Sequence, residues 1–431
     1  MEQPGATRYY LRSFLTGKEF EDTGWILDPP GEDKPSLIRA IYEQKQLRFG
    51  PVSLGLYRFA DWLPLRRILQ GSAAPVTYKS VHLAKALGLS NLYITFSGWW
   101  PEKGAFMKSC SFKETEAYSV CARLDGSSDR VLVVASAGNT ARAFAKVCSE
   151  NHIPLLLCMP EGTIDAMWFD APIDDCVKLI VTRSGSDYFD AINLSNLACQ
   201  AKGFFPEGGA KNIARRDGMA TTVLSAVDVI GRIPDYYFQA VGSGTGAIAA
   251  WEANLRLIDD GRFGNNKMKL LLSQNCPFIP MYDAWKAGSR SLLPMDDDRA
   301  RDQVMEIDAK VLSNRRPPYS VPGGLFDALQ DSGGDITIVT NEEARAASKL
   351  FKDTEGVSIH PAAAVTMGSL VRMVREKNIP ADACIMVNIT GGGEEEFKSQ
   401  RTLYYLKPSA VFDITASAEE VCAKLASLLQ A

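Results

Sequence analysis

The 431-residue chain is 46% hydrophobic and 23% charged, enough to bury large cores and to divide into two or three domains. Lys plus Arg number 47 against 51 Asp plus Glu, and the formal charge of -4 gives no bulk electrostatic reason to bind nucleic acid or an anionic membrane. A small-molecule partner is expected.

Residues 1–70 read as an N-terminal ribbon, in which residues 9–14 and 20–27 pair about Thr16-Gly17-Lys18, ahead of the breaker Pro29-Pro30-Gly31. Residues 1–5 lack a basic region followed by an apolar run, and no stretch approaches about 18 consecutive apolar residues, so the expectation is a cytoplasmic protein. Nine cysteines lie scattered in apolar segments without a Cys-x-x-Cys pair and read as reduced core thiols. Three dispersed histidines, His82, His152 and His360, give no reason to expect a metal.

From Leu92 onward short apolar runs recur at residues 92–96, 131–135, 155–159, 177–182, 236–241, 268–273, 336–340 and 384–389. Helical spacing fills most of the gaps, at 112–124, 140–150, 188–201, 247–257 and 361–376. Strands that alternate with helices predict an α/β fold of parallel sheets covered on both faces. The spacing suggests two such sheets, joined by a loop at 207–218 that is rich in glycine and charge. In such folds ligands bind beyond the C-terminal ends of the strands, so the strand-to-helix loops are where chemistry is expected.

Lys113 opens the helical pattern 112–124, where the helix dipole disfavours a cation and favours a neutral, nucleophilic amine. An ordinary first-turn surface lysine is the bland alternative. Gly242-Ser243-Gly244-Thr245-Gly246 follows a strand and starts a helix, a combination suited to cradling phosphate on backbone N–H groups. A dinucleotide site would want an acidic residue at the end of the next strand; here Leu272-Ser273-Gln274 stands instead, which favours a plain phosphate cradle. A tight turn without a ligand stays open. Asn139, in Ser136-Ala137-Gly138-Asn139-Thr140, either caps a helix or offers its amide to a ligand, and Thr390 offers a hydroxyl at a strand end, followed by Gly391-Gly392-Gly393.

In this order the four pieces resemble the tryptophan-synthase-like, fold type II enzymes that use pyridoxal 5'-phosphate, over residues 75–393. Within that group the chain is similar to the cysteate synthase family, relatives of threonine synthase. Residues 98–106, 109–114, 206–212, 237–246 and 388–393 carry the likeness. The resemblance implies a ribbon at 1–70, a large cofactor domain of 71–99 with 220–431, and a smaller substrate domain of 100–219. It implies that Lys113 binds the cofactor covalently and acts in catalysis. Asn139 would contact the cofactor, Gly242, Ser243, Gly244, Thr245 and Gly246 would cradle its phosphate, and Thr390 would face its ring nitrogen. Glu114 stands where threonine synthases carry Asp, and residues 13–23 hold no cysteine, so an ancestral zinc ribbon would have lost its ligands.

The likeness further implies β-replacement on O-phospho-L-serine by sulfite, giving L-cysteate and phosphate on the way to coenzyme M in methanogenic archaea. Such substrates need cations, and Lys211, Arg215 and Arg216 are the candidates, with a plain solvated basic turn as the alternative. Ser136, Ala137, Gly138 and Thr140 are candidates for the substrate carboxylate. Glu114 suits a first-turn helix position as well as a catalytic one, and His360, ahead of Pro361, suits a structural role at a helix start. A threonine synthase acting on O-phosphohomoserine and a non-catalytic amino-acid sensor remain as alternatives, and the family favours a dimer.

Overall fold

The computed structural model describes residues 5–126 and 130–430; residues 1–4, part of the ribbon and of the leader reading, lie outside them. Val131–Ala135, Leu155–Pro160 and Val177–Thr182 are apolar almost throughout, as strands covered on both faces must be. They form a five-stranded parallel sheet in the order Phe204–Pro206, Val131–Ala135, Leu155–Pro160, Val177–Thr182, Ala410–Phe412. A six-stranded sheet runs Asp335–Val339, Lys269–Asn275, Tyr236–Ala240, Cys384–Ile389, Asn91–Phe96, Val76–Lys79, parallel except for the last strand. The α/β class is therefore as the periodicity predicts.

Both sheets reverse strand order in their middles, and this positions the site. Val131–Ala135 lies between Phe204–Pro206 and Leu155–Pro160, so the loops at 136–138 and 207–212 open side by side. In the larger sheet Tyr236–Ala240 neighbours Cys384–Ile389, which sets the loop at 241–244 beside that at 390–393.

The ribbon is a three-stranded sheet in which Tyr9–Ser13 pairs with Glu19–Phe20 on one side and Ile38–Tyr42 on the other. Its second arm stops at Phe20 rather than continuing to Leu27, because the chain is drawn onto the smaller sheet: Arg123 donates to both Asp22 carboxylate oxygens at 2.9 and 3.0 Å, and the Trp25 indole donates to the Pro206 carbonyl at 2.8 Å.

Two expectations are corrected. Residues 213–218 are not loop: Ile213–Ile230 is a helix, its start capped by Asn212 Oδ1, which accepts from Ala214 N at 3.0 Å. It is buried over its first fifteen residues, so no amphipathic stripe marks it, and its charges pair internally, Arg216 with Glu252 and Asp217 with Tyr42 and Arg256. Ala410–Phe412 joins the five-stranded sheet and not the larger unit, since it lies parallel to Val177–Thr182. The nine cysteines are free thiols, and no helix among the described residues is long and apolar enough to cross a membrane.

The helix Ile213–Ile230 carries Lys113–Arg123 against it, and Gly218 is the point of closest approach. A Cβ there would press on the Thr115 carbonyl and come within 2.8 Å of Ser119 Cβ. Gly218→Ala is expected to lower stability by about 1–2 kcal/mol despite alanine's better helix propensity, measured from the denaturant midpoint, because a backbone carbonyl cannot yield.

Candidate active site

Lys113 is the first residue of the helix Lys113–Arg123, and its side chain, 19% exposed, opens onto a cleft of about 600 Å³. The loop before it is clamped on both flanks. Phe112 N donates to Thr390 O at 2.9 Å and Gly392 N to Cys110 O at 3.1 Å, so the Lys113 loop and the Thr390 loop form one short antiparallel bridge. Gly391 is required there, since a Cβ would lie 2.5 Å from His360 Nδ1 and 2.9 Å from Cys110 O. Glu114, fully buried, accepts from Ser109 N at 2.8 Å and stands 3.4 Å from Lys146 Nζ. Glu114 therefore shapes the loop and does not face the cleft.

The amine of Lys113 lies 3.2 Å from Glu116, whose other oxygen is 3.4 Å from Arg215. Burial lowers the Lys113 pKa below its ordinary 10.5, against the pull of Glu116. Glu116 was not singled out from the sequence, although its spacing of three places it on the same helical face.

Asn139 lines the cleft as the first residue of the helix Asn139–Glu150, with Gly138 at its N-cap and no side-chain cap. The capping possibility for Asn139 is thus corrected: Ser136 Oγ accepts from Gly138 N and Ala141 N, both at 3.0 Å, and Asn139 Oδ1 accepts from Arg142 at 2.9 Å. Arg142 is a buried hub missed in the sequence. It donates to Ser109 O at 3.0 and 3.1 Å and to Ala166 O at 2.8 Å, stacks over Trp168 at 4.1 Å, and so ties Asn139 to the Lys113 loop. His360 sits at the N-cap of Pro361–Arg375, as expected, with Nδ1 3.5 Å from the Asn139 amide nitrogen and Nε2 2.9 Å from Glu394. Burial works against ionisation of Glu394, but His360, Arg142 and Lys398 outweigh it and hold the carboxyl below its usual range.

Ser136, Ala137, Gly138, Thr140, Lys211, Arg215, Ser243 and Thr245 also line the cleft. Arg216 does not. It is buried, donates to Glu252 at 2.9 Å and to the carbonyls of Ala210 and Ile38, and braces the ribbon, which corrects its expected substrate role. Arg215 faces the cleft but is locked to Glu207 at 2.8 and 2.9 Å. Leu27 and Asp28 from the N-terminal segment and Arg316 from far along the chain also line the cleft, and no local pattern announces them. Among the described residues no cluster of metal-ligating side chains occurs.

The model for "Pyridoxal-phosphate dependent enzyme" matches residues 103–391. The cysteate synthase of Methanosarcina acetivorans is 46% identical over 96% of this chain and 98% of its own length, and that of Methanocorpusculum labreanum 45% over 90% and 94%. The chain belongs to the cysteate synthase family of pyridoxal-phosphate-dependent enzymes. Solved structures support the fold type II architecture: maize serine racemase, with a TM-score of 0.56 and 15% identity, covers 76% of this chain and 91% of its own, and processed threonine deaminase isoform 2 from Solanum lycopersicum, with 0.53 and 16%, covers 76% and 83%.

The residues present suit the cofactor of this family. Thr245–Asp260 starts at Gly244, with φ +78° and no side-chain cap, so the positive end of its dipole and the Ser243 and Thr245 hydroxyls are placed to suit a phosphate. Gly242 and Gly246 make room for that loop, since a Cβ would lie 2.8 Å from Leu312 Cα at one and 2.7 Å from the Gln239 amide at the other. Thr390 is buried at the strand end beside the Lys113 loop.

Glu116→Gln removes an anion whose pull opposes the lowering of the Lys113 pKa by burial, so in the apoprotein the amine should titrate lower than in the parent. The pH dependence of reductive methylation at Lys113, followed by mass spectrometry, reads this directly; an unchanged or higher midpoint would remove Glu116 from the account.

Proposed function

We propose that this enzyme catalyses β-replacement on O-phospho-L-serine by sulfite, giving L-cysteate and phosphate as a step towards coenzyme M, in the cytoplasm and as a homodimer. The observation that carries the reading is a partly buried lysine paired with Glu116 and opening onto a cleft that also presents Lys211, Arg215 and Arg316. Near end-to-end similarity to relatives named cysteate synthase supports it.

Bound pyridoxal phosphate supplies the electron sink at the substrate Cα. Lys113, Asn139, the residues Gly242 to Gly246 and Thr390 hold it. The N–H groups of the loop Ser136 to Thr140 take the substrate carboxylate, where a helix start favours an anion. Lys113 removes the Cα proton, and Glu116 at 3.2 Å stabilises the ammonium so formed. The Cβ–O bond breaks with its electron pair on departing phosphate. A sulfite lone pair forms the Cβ–S bond, and Lys113 returns the proton to Cα. The exchange needs no oxidant or reductant.

Holoenzyme supplied with phosphoserine and sulfite is expected to release L-cysteate and phosphate in equal amounts. Lys113→Ala should lose the borohydride-sensitive absorption near about 410 nm and at least about a thousandfold in kcat. Threonine from phosphohomoserine as the only product would select the threonine synthase reading; no turnover with an intact absorption band would select an amino-acid sensor.

A further inference from the structure

The cations of the cleft differ in how fully they are already engaged. Lys113 is held by Glu116, and Arg215 gives Nε and one terminal nitrogen to Glu207, with that same nitrogen 3.4 Å from Glu116. Lys211 is 47% exposed and, among the described residues, its ion-pair partner is Asp28, itself 54% exposed, at 2.7 Å. Arg316 is 59% exposed, and its nearest carboxylate oxygen, on Asp297, is 3.8 Å away and already accepts from Arg315 at 2.9 Å. Three remote parts of the chain thus converge: Lys211 from the loop after Phe204–Pro206, Arg316 from the segment before Leu325–Ser332, and Asp28 from beyond the ribbon's hairpin.

We propose that Lys211 and Arg316 form an oxyanion site at the cleft mouth for the anionic groups of the substrates, and that Asp28 is a built-in counter-ion which the incoming oxyanion displaces from Lys211. The proposal rests on the β-replacement reading for the identity of those anions. A phosphate ester and sulfite both present tetrahedral or pyramidal oxygens that a guanidinium fork and an ammonium bind well. In their absence Asp28 neutralises Lys211 and repels other anions. After reaction it recaptures Lys211 and speeds departure of phosphate and sulfonate. A half-exposed pair is weak enough to be exchanged in this way, since solvent screens exposed ion pairs and leaves them little net stability.

The test uses holoenzyme and inorganic sulfate, an unreactive oxyanion, titrated by calorimetry, with the cofactor's own affinity measured in parallel. All three side chains are substantially exposed, so the variants should fold. Asp28→Asn is expected to tighten sulfate about two- to fivefold, while Lys211→Gln and Arg316→Gln each weaken it about tenfold. KM for phosphoserine and sulfite should move in the same directions, with cofactor affinity unchanged. Sulfate affinity that ignores either cation, or that falls in Asp28→Asn, overturns the proposal. So does a loss of cofactor affinity in Arg316→Gln, which would assign that residue to the cofactor phosphate. Sulfate binding that follows the expected pattern in an enzyme making no cysteate would leave the oxyanion site standing and remove the β-replacement reading.

Discussion

The active site depends on one short antiparallel bridge between two loops that belong to different parts of the sequence. Phe112 N reaches Thr390 O and Gly392 N reaches Cys110 O, so the lysine enters its helix at a position fixed by the larger sheet. Such an approach is possible only without side chains. Gly391 has His360 and Cys110 where a Cβ would stand, and Gly392 has Ser358 and Phe96. The glycine run after Cys384–Ile389 is thus a packing requirement before it is a ligand-binding one. His360 N, bonded to Gly391 O at 3.0 Å, fixes the bridge from its far side.

At this bridge and under the ribbon the protein buries several charges and pairs nearly all of them. Glu114, Glu116, Arg123, Arg142 and Arg216 are almost fully buried, and each meets an opposite charge or a backbone partner. Removing one member of such a pair costs about 3–5 kcal/mol because the survivor is left desolvated, which makes the arrangement rigid. Lys113, the partner of buried Glu116, lines the cleft. Their pairing keeps a titratable amine next to a fixed acceptor, as proton transfer at a substrate carbon requires.

Much of the fold was legible because parallel strands buried on both faces leave continuous apolar runs. Residues 131–135, 177–182 and 384–389 were bounded in sequence as the structure bounds them. Elements without that signature were missed. Phe204–Pro206 and Ala410–Phe412 are three-residue edge strands, and Ile213–Ile230 is buried on all sides, so periodicity had nothing to register. The motif residues Lys113, Asn139, Ser243 and Thr245 do meet in one cleft: Asn139, Ser243 and Thr245 follow strands of the two parallel sheets, and the bridge to the Thr390 loop brings Lys113 to them.

Sequence alone determined the alternation of strand and helix, the lysine at a helix start, the glycine loops that admit phosphate, and the family likeness, because each is written in neighbouring residues. Only the tertiary structure decided which charges are free to act. Arg215 and Arg216 looked alike in the chain, yet one faces the cleft and the other braces the ribbon. Asp28 neutralises Lys211 from 183 residues away, and Arg316 enters the same cleft from a loop with no motif of its own. Local patterning sets where a side chain begins, but its partner, and hence its charge in the site, depends on segments that only folding brings within a few ångströms.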